Sequence, residues 1–429
     1  MQSLKSLLML TAKRLVSILT LVSLAALAWY AALLARADVA FGAFGENTLI
    51  GVSSAVRLAP GNAAYHALLA EFIEASGGNP DHELEMATDL SPHESKYWIR
   101  RAFRAEVEQQ YGPSEHFLQE ALKVDHGFDP RWALMNYYFR RGDSASFWKY
   151  TREALEMSYG NLDPIFRLCL AVSDDPSVTR RVLPPHPQIR LGFLTYLIAN
   201  GYVGSAAGIA DEVASEVRAD DSSALLDYCD RQIGHDNESA VRVWNALCRR
   251  RIVPFTELSP QRGHIVTNGD FAVASFQRVF DWKYGTNEAI AIRPAEDGRA
   301  VAINIRGDQP DSIVLMQQEI PLSPGREYAV QYEYRLVGPP GDSGVHWVIR
   351  RQGQNEVGGS GSMAISPVLL GSDWNGGKML FSAGQLDVAT LALEYRRTPG
   401  TIRWKGAVQI RHVASGLAEP VSTIPGTAK

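Results

Sequence analysis

Hydrophobic and polar positions divide the chain into three stretches of unlike rhythm. The first is unbroken: Leu15 to Ala35 reads LVSILTLVSLAALAWYAALLA, without a charge. At ~1.5 Å per helical residue, such a run crosses a hydrocarbon core of ~30 Å. The second, from about 46 to 253, repeats its apolar residues at helical spacing. The third alternates in short runs bounded by Gly, Pro, Asn and Asp, which predicts strands. These are Val301–Arg306, Ile313–Ile320, Glu327–Val337, Val345–Arg351, Lys378–Ser382, Ala389–Arg396 and Thr401–His412. In the third of them Tyr328, Val330, Tyr332 and Tyr334 alternate with Glu327, Gln331 and Glu333. The first set then faces a core and the second faces outward.

The expected fold class is multidomain α plus β: an N-terminal transmembrane helix, an α-helical solenoid and a C-terminal antiparallel β-sandwich. The expected boundaries are a cytoplasmic N-terminus (1–14), a signal anchor (15–36), a helical repeat domain (46–253), a linker (254–263), a sandwich (264–415) and a flexible tail (416–429). Lys5, Lys13 and Arg14 precede the apolar run, whereas Arg36 and Asp38 cancel after it. The positive-inside rule keeps the N-terminus in the cytoplasm and exports the rest, giving a single-pass inner-membrane protein. A cleaved signal is the alternative, with Ala35-Arg36-Ala37 as the site before Asp38. The apolar run exceeds the 7–15 residues of a signal core, which favours the anchor.

Within the helical stretch one frame recurs: Ala55-Val-Arg-Leu-Ala-Pro60, Ala87-Thr-Asp-Leu-Ser-Pro92, Ala121-Leu-Lys-Val-Asp125 and Ala154-Leu-Glu-Met-Ser158. Its alanines lie 32, 34 and 33 residues apart. Pro60 and Pro92 follow where a helix must stop. Aromatic residues open the next helices at Tyr65, Trp98, Trp132 and Phe166. This pattern resembles the tetratricopeptide repeat, best between Ala55 and Leu168, with Trp98, Ala102 and Trp132 at family positions. The resemblance implies stacked helical hairpins whose small residues permit close approach, and a surface that binds a peptide or protein partner. Tyr137, Tyr138, Phe147 and Trp148 are candidates for lining that surface or for packing between hairpins.

In the third stretch, Ile265-Val-Thr-Asn-Gly-Asp-Phe271 precedes Phe280-Asp-Trp282, and Leu322-Ser-Pro-Gly325 precedes an aromatic strand. These features resemble carbohydrate-binding modules with the galactose-binding-like jelly roll. The resemblance implies a glycan surface of flat rings with planar polar partners. Trp374, Tyr284, Trp282, Arg350, Gln331 and Glu333 are the candidates for it. The acidic closing strand of that family is replaced by Trp404-Lys-Gly-Ala-Val408, which leaves a calcium site without its closing carboxylate. No cofactor is expected, structural calcium being the open alternative, and Asn268 and Asp270 are read first as turn residues.

The net charge of −5 argues against nucleic acid as a partner. Cys169, Cys229 and Cys248 form no C-x-x-C pair; whether Cys229 and Cys248 pair is left open. No nucleophile elbow, phosphate loop or zinc motif occurs, and Glu327 and Glu333 lie ~20 Å apart along one strand. The expectation is a non-catalytic, membrane-anchored envelope scaffold that joins a protein partner to a polysaccharide, in cell-envelope or exopolysaccharide assembly. The alternatives are a purely protein–protein adaptor and an accessory subunit of a glycan-processing complex.

Overall fold

A computed structural model describes residues 2–43, 48–216, 218, 221–295, 298–339, 343–351, 362–367 and 371–418. Most of the expected tail, 419–429, lies outside the described residues. The chain divides into two compact units, Met1–Val172 and Ser173–Lys429.

The first unit is helical: α1 (Gln2–Ala43), α2 (Leu49–Leu58), α3 (Ala63–Ala75), α4 (Asp81–Leu90), α5 (Ser95–Val107), α6 (Tyr111–Val124), α7 (Phe128–Arg141), α8 (Ser144–Glu156) and α9 (Asp163–Val172). Local chemistry sets the ends. The Asn62 and Asp143 side chains accept backbone N–H bonds at the starts of α3 and α8. Gly142 closes α7 in the left-handed region, which a Cβ would resist. The four frame alanines, Ala55, Ala87, Ala121 and Ala154, are all fully buried, as is Ala102. Consecutive helices touch across these positions because a methyl group lets their backbones approach. Of the four aromatic positions, Tyr65 and Phe166 are buried as expected, whereas Trp98 and Trp132 depart from the frame. Tyr97 is buried while its neighbour Trp98 is half-buried and donates from Nε1 to the Pro92 carbonyl (2.8 Å). Trp132 is also half-buried and stacks on Phe128. Tyr137, Tyr138 and Phe147 pack inside, so they line no open groove.

The second unit begins with α10 (Pro176–Val182), α11 (Pro187–Ala199), α12 (Ala207–Glu216), α13 (Ser223–Gln232) and α14 (Asn237–Arg249). Asp175 and Asp236 cap α10 and α14. Then come β1 (Lys283–Tyr284), β2 (Ile290–Pro294), β3 (Val301–Ile305), β4 (Ser312–Pro321), β5 (Glu327–Val337), β6 (Val345–Arg351), β7 (Ser362–Pro367), β8 (Gly371–Ser382), β9 (Val388–Arg396) and β10 (Gly406–Leu417). They form two five-stranded antiparallel sheets, ordered β1-β4-β9-β6-β7 and β2-β3-β10-β5-β8. The core between them holds Trp282, Trp347, Tyr328, Tyr332, Tyr395 and the facing aliphatic residues. On β5 the residues Tyr328, Val330, Tyr332 and Tyr334 face that core, as the alternation requires.

Residues 254–263, expected as a linker, are packed instead. The Asn245 amide holds Leu258 at both its N–H and its carbonyl, each at 2.8 Å. Phe255 stacks on Trp244 of α14, and Trp244 meets Phe280 edge-on at 5.6 Å. Arg278 pairs with Asp227 and Asp230 of α13, and Lys283 reaches Asp230. The last helices and the sandwich therefore share one compact unit, and the division falls inside the helical stretch rather than after it.

The Asn268-Gly269-Asp270 turn is built into this core. Asn268 has positive φ, and its amide donates to the Val273 carbonyl and to Asp281. Asp281 is fully buried and accepts the N–H groups of Phe276 and Trp282. Burial pushes its carboxyl up from the usual range. A Cβ at Gly269 would sit 1.8 Å from the Val413 carbonyl oxygen. Gly269→Ala must displace β10 and is expected to cost about 1–3 kcal/mol, read as a lowered urea midpoint with unchanged slope. An unchanged midpoint would refute the contact.

Candidate functional site

The outer face of the sheet β2-β3-β10-β5-β8 gathers three of the sequence candidates. On β5, Gln331, Glu333 and Arg335 alternate outward between core residues. Register pairs Glu333 with Arg411 and Arg335 with Gln409 on β10. It pairs Gln331 with Lys378 and Glu333 with Gly376 on β8. Arg411 Nε donates to Glu333 (2.7 Å), and Arg335 Nε donates to Gln409 (2.7 Å). Both guanidiniums lie against Trp374, their Cζ atoms 4.0 and 4.9 Å from the ring centroid. At these distances each cation is attracted by the ring's π-face.

Trp374 is half-buried on β8, in the run Gly371-Ser-Asp-Trp-Asn-Gly-Gly377 that lies before the strand expected to begin at Lys378. Ladder bonds to β5 hold this glycine-rich run extended where its own strand propensity is low. The two glycines there have different work. A Cβ at Gly377 would strike the Tyr332 ring, so Gly377 lets the core close. A Cβ at Gly376 would meet nothing within 4 Å, so the space above Glu333 between Trp374 and Lys378 is clear. Each arginine uses Nε to fix itself on the sheet; the terminal Nη donors of both bond to nothing among the described residues. The result is a shelf with one ring, a carboxylate, an amide and several cationic donors.

The other candidates lie elsewhere. Trp282 is fully buried and donates from Nε1 to the Asn268 carbonyl (3.1 Å), so it is core rather than surface. Its bulk is needed where the sheets meet, against Phe271 and Trp347. Tyr284 is on β1, in the opposite sheet. It lines a cavity of 380 Å³ with Phe271, Val273, Ile292 and Val301, and burial raises its hydroxyl to about 12.

Arg350 is on β6 and only 3% exposed, too deep for an open glycan surface. Its Nη2 meets the fully buried Glu394 of β9 at 2.9 Å. His346 Nε2 is 3.7 Å from the same carboxylate, and Gln317 lies 3.5 Å from Arg350. The neighbouring Glu319 accepts from Thr390 (3.0 Å), and burial raises its carboxyl from the usual range. A polar row therefore crosses the outer side of the sheet β1-β4-β9-β6-β7. Arg350 Nε and Nη1 have no hydrogen-bond partner among the described residues.

The repeat unit carries a cavity of 170 Å³ lined by Asp81, Glu85, Arg101, Arg104, Glu108 and Phe117. Arg101 Cζ lies 4.4 Å from the Phe117 ring, and Arg104 pairs with Asp81 (3.2 Å) and Glu108. Phe103 and Val107 of α5 are exposed apolar residues, the latter at 71%.

The remaining chemistry-bearing side chains are engaged or enclosed. Cys169, Cys229 and Cys248 are free and buried. Among the described residues no three His, Cys, Asp or Glu side chains group to hold a metal ion. Asp270 instead pairs with His412 (2.7 Å). Arg335, Gln409, Arg411 and Lys378 were missed by sequence reasoning. Their polar alternation is visible along each strand, but which strands adjoin is not.

No family model matches the chain, and no curated protein matches it. Solved structures do. The chain is similar to one described as "CBM4 structure and function", at 15% identity over 36% of this chain and 99% of that one, with a TM-score of 0.28. It is similar to pilF of Pseudomonas aeruginosa, at 13% identity over 50% of this chain and 90% of that one, TM-score 0.26. It is also similar to YrrB, described as a TPR protein with an unusual peptide-binding site, at 13% identity over 48% and 94%, TM-score 0.24. The matched structures also include one described as a xylan-binding domain of Paenibacillus barcinonensis Xyn10C, at 13% identity over 35% of this chain and 97% of that one, TM-score 0.23.

Proposed function

We propose that the protein is a non-catalytic scaffold of the cell envelope, held in the inner membrane by α1 with both folded units outside. In this reading the helical array takes a protein partner and the sandwich takes a glycan. Assembly of cell-envelope material or of an exopolysaccharide is the setting that this pairing suits. The observation that carries the glycan assignment is the Trp374 shelf. A pinned indole offers an apolar face to sugar C–H groups, and Gln331, Glu333, Arg335 and Arg411 supply donors and acceptors for hydroxyls. The exposed apolar residues Phe103 and Val107 on α5 support a protein partner for the array.

The test uses the full chain in detergent, run through native gels containing a neutral β-glucan, a xylan or a polyuronate. Retardation by at least one is expected. Trp374→Ala is expected to lose tenfold or more in affinity, equal to about 1.4 kcal/mol, with little change in melting temperature. Retention of full affinity by that variant removes the shelf as the site. Absence of retardation in every gel leaves the purely protein–protein adaptor.

A further inference from the structure

The lower part of α1 is bare. Leu15 to Trp29 are exposed on all sides, as lipid-facing residues are in a chain seen without its bilayer. Higher up, one side of the same helix becomes covered. Leu33 and Leu34 are half-buried and Ala37 is fully buried, a stripe at helical spacing. Ala37 clusters with Ala55 and Ala59 at the end of α2 and with Tyr65 of α3, and Leu34, Val56 and Leu58 pack around them. The Tyr65 hydroxyl donates to Asp38, one residue further along α1. Below the stripe, a Cβ on Gly61 would come 3.9 Å from the Tyr30 hydroxyl.

This cluster has a counterpart one repeat later. Ala63 and Ala67 of α3, Ala87 of α4 and Tyr97 of α5 form a second group of the same make-up. Shifting by 32 residues carries Ala55 onto Ala87 and Tyr65 onto Tyr97. In each group the frame alanine of one helix lies between a small residue of the helix before it and a tyrosine of the helix after it. The top of α1 therefore stands to α2 as α3 stands to α4.

We propose that the membrane helix is itself the first helix of the repeat array, which seats the array directly on the lipid headgroups. Ala37 lies ~33 Å along the helix from Leu15, just past a ~30 Å hydrocarbon core. The turn from Leu58 to Asn62 then sits beside Trp29 and Tyr30 at the interface, where amphipathic rings belong. Cleavage at Ala35-Arg36-Ala37 would take Leu33, Leu34 and Ala37 from a closed core and uncover Ala55, Ala59 and Tyr65. The α1 top is part of the folded array, and the array has no flexible tether below it.

This rests on the anchor reading given above, and the test separates the two. The full chain carrying A37C and A55C is mildly oxidised in native membranes, its own cysteines being buried. The expected result is an unprocessed mass and an internal crosslink that a pair at Leu24 and Ala55 does not give. A mature N-terminus at Asp38 overturns both the anchor and this proposal. An unprocessed chain without the crosslink overturns this proposal alone. Should the alanine positions not tolerate cysteine, L34C with L58C and a short bis-thiol reagent reads the same contact, and its failure counts equally.

Discussion

Glu394→Ala is expected to destabilise the sandwich by about 3–5 kcal/mol, because it leaves the Arg350 guanidinium buried without its counter-charge. The pair is enclosed on the outer side of a sheet, where water does not screen it, and Arg350 already has two donors without partners among the described residues. Removing the carboxylate adds a full unpaired charge to that cost. The double change R350M with E394L behaves differently, since it removes both charges and keeps the volume. It is expected to be neutral or stabilising by as much as about 4 kcal/mol. Urea unfolding of the three chains followed by near-ultraviolet circular dichroism decides it. A loss below 1 kcal/mol for Glu394→Ala would mean that water reaches the pair.

Trp244→Ala is expected to cost about 3–5 kcal/mol and to lower the melting of the sandwich together with that of α11–α14. Trp244 is fully buried, stacks on Phe255 and meets Phe280 edge-on. Its loss opens a cavity where the last helix meets the start of the β-rich stretch. Because Asn245 clamps Leu258 beside it, helix and strand parts of Ser173–Lys429 should unfold in one step. Two separate transitions, with the strand signal unmoved by the substitution, would dissolve this coupling. The same packing makes 173, rather than 254, the sensible start of an excised C-terminal fragment.

The repeat spacing was legible because it reports a local demand. Wherever two helices cross closely a small residue is required, and Ala55, Ala87, Ala121 and Ala154 meet it at near-constant intervals. The aromatic positions were less so: Tyr97 and Trp98 are adjacent, and only packing decides that the tyrosine turns inward. On β5 the alternation gave the inward and outward faces correctly, since period two is a property of one strand. The partners of Glu333 and Arg350 were not legible, because they come from strands remote in sequence, β10 and β9. Trp374 is a candidate from sequence, but it lies outside the strand expected from Lys378 to Ser382. Glycines signal turns in isolation, and the ladder with β5 overrides that signal. The packed 254–263 segment hid for a related reason: Pro254, Pro260 and Gly263 read as a linker, while the Asn245 clamp is a tertiary fact.

The uncharged run from Leu15 to Ala35 matches a ~30 Å hydrocarbon layer with almost no slack. In a layer ~3 Å thinner, a rigid rod of that length leans over by about 25° to stay immersed. A helix joined to its cargo by a floppy stretch would absorb that lean. In the anchored arrangement proposed above, one that continues into Ala37 and its neighbours would pass it on, so bilayer thickness would set the bearing at which the repeat array meets whatever approaches it.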